Sequence, residues 1–220
     1  MLAILNKGGI FMYPILAVSI VALTIMVERA YYLFFELSLN TKDFSQRIFR
    51  SVESGDVNGA IQACHSFFNH PLPQVLNAAL VKANRGDKEI ERAIASKYMQ
   101  VSPTVSERTG YLSMLANVAT LMGLLGTIVG LIQCFKAVAN AEAAAKQEAL
   151  ANGISVAMFT TASGLIVAIP CLIGFNILMN RQNKILDSIQ ESSIELLNMI
   201  SASNKDLRVG PQRVIRGQNH

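Results

Sequence analysis

Charge is scarce in this 220-residue chain: Asp, Glu, Lys and Arg make up 15% of it and 51% is hydrophobic, whereas about a quarter of a soluble domain is charged. That shortage argues against an ordinary soluble enzyme and brings the membrane class forward. Cysteine is scarce too. Cys64, Cys134 and Cys171 show no CxxC spacing and no even count, so no disulfide framework is expected and each reads as a small apolar residue. His65, His70 and His220 form no metal-ligand spacing with those cysteines, and no nucleophile motif or phosphate loop occurs. The expectation is therefore no metal, no cofactor and no enzymatic chemistry, with each histidine at the surface or at a helix end. The formal charge of +4 would suit nucleic acid, but the cations scatter among acids, and no nucleic-acid partner is expected.

The missing charge is concentrated. No Asp, Glu, Lys or Arg occurs from Gly8 to Val27, from Thr109 to Phe135, or from Ala149 to Asn180, and a spanning helix needs about 20 mostly apolar residues. Three membrane spans follow. Lys7 ahead of the first run is reminiscent of a secretory signal, yet the run is too long, lacks a clean small-residue cleavage site and ends in "ERAYYLFF", which suits a membrane interface. Lys and Arg favour the cytoplasmic side. They are dense between the first two spans (Lys42 to Arg108) and after the third (Arg181 to Arg216), while the short second connection has only Lys136 and Lys146, offset by Glu142 and Glu148. The N-terminus is thus expected outside and the C-terminus in the cytoplasm.

The expected organisation is an outer segment and first span over 1–36, with Pro14 near its outer end, and a cytoplasmic helical loop over 37–107. The second span covers 108–136, an outer connection 137–150 and the third span 151–180, and a cytoplasmic helix and disordered tail follow over 181–220. The loop reads as short amphipathic helices punctuated by Gly55-Asp56, "HPLP" at 70–73 and Gly86-Asp87, with Asp87 a helix cap and Ile90, Ala93, Ile94 and Met99 on one face. The two later uncharged runs would reach roughly 40 to 48 Å as helix, beyond a hydrocarbon core of about 30 Å, so their ends tilt or project into water. Beyond Asn180 the helical period continues through Ile185, Ile189, Ile194, Leu197 and Ile200 and fades past Ser201.

Within the spans the small residues are patterned. Gly123, Gly126, Thr127 and Gly130 fall along one helix face, and Gly153, Ala157, Thr161, Gly164 and Ala168 along another. In lipid such stripes bring backbones together. They therefore read either as packing alone or, with Thr127 and Thr161 set within them and Asn152 and Ser155 about two turns above Thr161, as a mildly polar lining. A threonine hydroxyl also bonds back to its own helix, which gives the bland reading for a lone Thr and for Thr160. No ionisable group lies at depth in spans two or three. In span one, Glu28 beside Arg29 reads as an anchor of the cytoplasmic interface in preference to an ion carrier. Either the protein conducts nothing, or its working carboxylate comes from another chain.

The segments "GGIFMYPILAVSIVALTIMVERAYYL", "LANVATLMGLLGTIVGLIQCF" and "GISVAMFTTASGLIVAIPCLIGFN" resemble the three spans of the MotA/TolQ/ExbB proton-channel family, closest to its ExbB/TolQ branch. The resemblance implies an all-α membrane protein of three transmembrane helices with long cytoplasmic helical extensions, assembling as a pentameric ring in the bacterial inner membrane. It also implies a central pore holding the single spans of an ExbD/TolR-like partner dimer, whose aspartate carries the proton. Thr127 and Thr161 match the threonines around that aspartate, and Gly123, Gly126, Gly130, Asn152, Ser155, Ala157, Thr160 and Gly164 fall on the pore or helix-packing faces. The implied function is a stator-like motor subunit that uses the proton motive force to drive an envelope process, with a TonB-like or other periplasmic load. Two departures stand out: Val156 occupies a position where relatives often have Glu, and Thr120 stands near a proline often found before "GLLGT". The alternatives are a self-sufficient ion channel or secondary transporter, disfavoured because no embedded acid or base and no inverted repeat is seen, and a passive membrane scaffold.

Overall fold

The computed structural model describes residues 10–140, 142 and 144–208, with side chains described as far as Ala202. Every regular element among the described residues is helical: α1 Met12–Tyr31, continued by one π-helical turn Tyr32–Glu36; α2 Thr41–Glu53; α3 Val57–Ser66; α4 Pro71–Leu80; α5 Asp87–Ser106; α6 Thr109–Asn140; and α7 Lys146–Arg208. Three of the helices are long and apolar enough to cross a membrane, consistent with the expectation that all backbone groups in hydrocarbon are paired within the segment. Helices α6 and α7 overrun the expected span limits, leaving only a few residues between them. The chain divides into two compact units, residues 10–35 with 106–181 and residues 36–105 with 182–208.

In the first unit α1, α6 and the first part of α7 pack together. Phe11 lies beside Gly126 and Glu28 pairs with Arg108, so α1 and α6 are antiparallel. Ala119 lies against Gly164 and Cys134 against Gly153, so α6 and α7 are antiparallel as well. Helix α1 runs parallel to α7, with Met26 against Gly174 and the Leu33 carbonyl accepting from Arg181 Nε at 3.4 Å. The buried faces are built from small and medium residues, including Ala22, Ala116, Ala119, Ala157, Ala168 and Cys171. Large apolar side chains such as Leu121, Leu124, Ile128, Ile166 and Ile173 point away from this contact and are exposed, the inverse of a soluble core and the expected pattern for a surface that meets lipid or other spans.

The second unit is a conventional helical core. Helix α2 ends at Gly55, whose left-handed φ of 81° a side chain would disfavour. The Asp56 carboxylate then caps α3 by accepting from the Gly59 amide at 2.8 Å. His70 is likewise a helix-end residue: its Nδ1 accepts from the Leu72 amide at 3.1 Å, and Pro71 opens α4 where its missing amide is not needed. Ile48, Cys64, Leu72, Leu76, Ile90, Val105, Ile189 and Leu196 are buried. A hydroxyl pair, Ser45 to Ser192 at 2.8 Å, is enclosed among them.

Four expectations are corrected here. Asp87 is the first helical residue, not a cap; the Gly86 carbonyl takes the first bonds, and the Asp87 carboxylate accepts from the Ser201 hydroxyl at 2.8 Å. Met99 is 73% exposed, and Val101 and Val105 carry the buried face of α5. Leu196 is buried in place of Ile194, which is 51% exposed, because Ser192 and Ser193 join the inner face of α7. Helix α7 continues to Arg208, past the expected fading point; the expected disordered tail over 209–220 lies outside the described residues.

Burial pushes the Cys64 thiol up from 9.0 to about 12. In a chain with Cys134 and Cys171 replaced by alanine, maleimide labelling of Cys64 at neutral pH is expected to run more than ~100-fold slower in the folded protein than after denaturation, since the thiolate is the nucleophile. Equal rates would place Cys64 at the surface.

Candidate functional site

The spanning helices α6 and α7 meet through atoms that leave no room for ordinary side chains. A Cβ added to Gly164 would lie 2.6 Å from the Ala119 carbonyl oxygen and 3.1 Å from the Gly123 Cα, and one added to Gly123 would lie 3.3 Å from both the Thr160 carbonyl oxygen and the Thr161 Cα. One on Gly130 would meet the Ala157 methyl at 3.3 Å, and one on Gly126 would fall on the Thr160 methyl. Gly123, Gly126 and Gly130 of one predicted stripe and Gly153, Ala157, Thr161 and Gly164 of the other therefore lie in this contact, with backbone against backbone at Gly123 and Gly164.

Thr127 and Thr161 sit within it. Their hydroxyls touch each other. Thr127 Oγ1 lies 3.0 Å from the Gly123 carbonyl oxygen of its own helix and 3.4 Å from the Ala157 carbonyl oxygen across the contact, and Thr161 Oγ1 lies 3.2 Å from the same Gly123 oxygen. Two hydroxyl protons thus face two carbonyl oxygens and each other. Each hydroxyl offers one donor and two acceptor sites, so the set has more acceptors than protons and more than one bonding pattern. Both threonines are half-buried. The neighbouring hydroxyls behave differently: Thr160 donates to the Val156 carbonyl at 2.9 Å and Ser163 to the Phe159 carbonyl at 2.8 Å.

Other candidate residues are not brought to this point. Asn152 and Ser155 are exposed. At about 100° per residue, nine and six positions turn them well away from the Thr161 face. Ser155 stands beside Ile154, Met158 and Phe159 on an outward apolar surface, so within one chain the expected polar line above Thr161 does not form. Among the described residues no group of three or more His, Cys, Asp or Glu could hold a metal.

Glu28 and Arg29 form ion pairs that the sequence reading did not identify. Glu28 accepts from Arg108 at 2.6 Å, both side chains about half exposed (46% and 47%). Arg29, 5% exposed at its side chain, reaches Glu107 at 3.5 Å and lies over the Tyr32 ring at 5.3 Å. A signal was available: of the Glu-Arg dipeptides at 28–29, 91–92 and 107–108, the first and third border uncharged runs, and antiparallel neighbours set each acid opposite a base. Arg108 adopts a left-handed backbone, φ 59°, at the residue before α6. Exposed pairs of this kind contribute little each.

Residues 62–191 match the sequence profile of the MotA/TolQ/ExbB proton channel family. The chain belongs to this family. As a member of the MotA/TolQ/ExbB family it is 28% identical over 192 residues to a putative biopolymer transport protein, an ExbB homolog of Methanothermobacter thermautotrophicus, covering 86% of this chain and 66% of that one. It is also 28% identical over 193 residues to an ExbB-like protein of Synechocystis, covering 86% of this chain and 91% of that one. The Tol-Pal system protein TolQ of Haemophilus influenzae is 37% identical over 82 residues, 37% of this chain and 36% of that one. Among solved structures, C. jejuni MotAB matches with a TM-score of 0.54 at 18% identity, covering 93% of this chain and 84% of that one, a likeness of fold. The family match takes in both threonines and the whole α6–α7 contact.

The clearances order the glycines. Gly164→Ala, whose Cβ would lie 2.6 Å from a backbone carbonyl oxygen, is expected to lower stability by about 1–3 kcal/mol, and Gly130→Ala, with no atom nearer than 3.3 Å, by under about 1 kcal/mol. Thermal unfolding in detergent checks the order; equal effects, or Gly130 the larger, would contradict the packing.

Proposed function

We propose that this chain is a proton-conducting motor subunit of a membrane assembly in which the proton carrier, an aspartate, is supplied by an ExbD/TolR-like single-span partner dimer. The observation that carries the reading is the Thr127–Thr161 hydroxyl pair at a depth where α6 and α7 have no Asp, Glu, Lys, Arg or His from 109 to 135 or from 149 to 180. An acid brought to this place loses water, which raises its pKa and favours the neutral form. Hydroxyls that can donate to the anion or accept from the acid lower the difference between the two states without contributing a fixed charge. The existing bonds to Gly123 make the exchange a small step, since a hydroxyl that turns toward a carboxylate gives up one neutral bond, worth about 1 kcal/mol, for a stronger charge-assisted one.

In this reading five copies of the chain surround the partner spans, in the inner membrane, with the N-terminus periplasmic and the C-terminus cytoplasmic. The exposed large apolar side chains of α1, α6 and α7 face lipid or neighbouring copies, and Glu28 and Arg29, with Arg108 and Glu107, mark the cytoplasmic boundary. Proton flow drives the partner against a periplasmic load, TonB-like or other, and so powers an envelope process. The names of the ExbB and TolQ relatives support this class. Asn152 and Ser155, turned from Thr161, are in this reading surfaces for other chains.

Thr127→Val and Thr161→Val keep shape and remove the hydroxyl. Each is expected to lower the proton-motive-force-dependent activity of the assembly about 10- to 100-fold, the worth of a hydrogen bond to a charged group, while the amount of assembled complex stays at the parent level. Full activity in both variants would remove the threonines from the proton path.

A further inference from the structure

We infer that Thr160 is a positioning residue for the hydroxyl pair, acting through its methyl group. This rests on the reading of Thr127 and Thr161 as the working hydroxyls. Thr160 is 1% exposed, a place polar residues seldom take, and its hydroxyl donates to the Val156 carbonyl of its own helix. Its Cγ2 occupies the space that a side chain would take on Gly126, so closely that any Cβ there would collide with it, and Phe11, the residue before α1, closes the same space with its Cβ 3.3 Å from that point. The methyl is therefore a peg in a notch made by the absence of a side chain.

The peg sets both degrees of freedom that bring the hydroxyls together. Gly126 and Thr160 each immediately precede the threonine whose hydroxyl matters, Thr127 on α6 and Thr161 on α7. With the helices antiparallel, a slide of α7 by one residue shifts Thr161 about 1.5 Å along the axis, and a rotation by one residue turns it about 100°. Either motion drives the Thr160 methyl out of the notch and into the α6 backbone. The small-residue stripe alone would allow such slips, because Gly123, Gly130, Ala157 and Gly164 offer nearly equivalent smooth surfaces in neighbouring registers. A β-branched side chain, restricted at χ1 within a helix, makes a stiff peg. The role thus belongs to the methyl and not to the hydroxyl, which reverses the order of tolerated substitutions.

The test reads geometry independently of proton flow. In the full-length chain with Cys64, Cys134 and Cys171 replaced by alanine, Thr127→Cys and Thr161→Cys are joined by mild oxidation in membranes, and the initial rate of the intramolecular cross-link is measured. Thr160→Val, which keeps the methyl, is expected to cross-link at the parent rate. Thr160→Ser, which keeps the hydroxyl and vacates the notch, and Gly126→Ala, which fills it, are each expected to slow the reaction about fivefold or more, in line with the cost of a misfitted core. The double variant Gly126→Ala with Thr160→Ser moves the methyl from one helix to the other and, with the new Cβ still 3.0 Å from the Cβ of residue 160, is expected to recover the rate in part, above either single variant. A fast Thr160→Ser with a slow Thr160→Val, or a double variant no better than the worse single one, would overturn the proposal. Because the cross-link needs no proton flux, these results stand or fall separately from the valine variants at 127 and 161: a cross-link pattern as expected with full activity of those variants would sink the functional reading and leave the peg in place.

Discussion

The contact between the Gly164 and Gly123 backbones is the constraint on which the rest depends. Two helices in hydrocarbon gain nothing from hiding leucine, since lipid is as apolar as the side chain, so their association relies on close approach. With Ala119, Gly123, Gly126 and Gly130 on one helix and Ala157, Thr160, Thr161 and Gly164 on the other, the axes come near enough for hydroxyls of both to reach one carbonyl, that of Gly123. Widen that approach by a single methyl at Gly164 and the shared acceptor is lost. The hydroxyl pair is thus a product of packing, and its chemistry is inseparable from the absence of side chains around it.

A second constraint operates where the same unit meets the end of its uncharged runs. The two Glu-Arg dipeptides at 28–29 and 107–108 satisfy each other only if α1 and α6 are antiparallel and in one register. Arg181 adds a bond to the Leu33 carbonyl, within the π-helical turn, and lies over Phe34 at 5.6 Å. Such pairs are individually weak where exposed. Their value is in registry: a slip of one residue would set Glu28 against Glu107 or Arg29 against Arg108, and a slip of a whole turn would leave all four without a partner.

Much of the architecture was legible from the chain itself. The three uncharged runs specify spans because a charge at the bilayer centre is costly, and the small stripes at three- and four-residue spacing specify which faces touch. The continuation of α7 was visible in Ile185, Ile189 and Ile200. What periodicity missed has physical reasons. Ser192 and Ser193 look polar yet are buried, Ser192 through its bond to Ser45, so the inner face of α7 was placed on Ile194 instead of Leu196. Asn152 and Ser155 were grouped with Thr161 by distance along the helix, without regard to angle. Thr160 bonds its own helix, as expected from sequence, but the notch that its methyl fits can be seen only when the opposite helix is in place. The Glu28–Arg108 pair, 80 residues apart, leaves no mark in the helical period and shows only in the Glu-Arg dipeptides that border two uncharged runs.

The central claim is that this chain shapes a proton path without owning the proton carrier. Proton flux into proteoliposomes, driven by an imposed membrane potential, measures this directly with the purified chain reconstituted alone and then with an aspartate-bearing single-span partner. The account predicts flux for the chain alone that is indistinguishable from protein-free vesicles, rising when the partner is present. Sustained, saturable proton flux by the chain alone would contradict it.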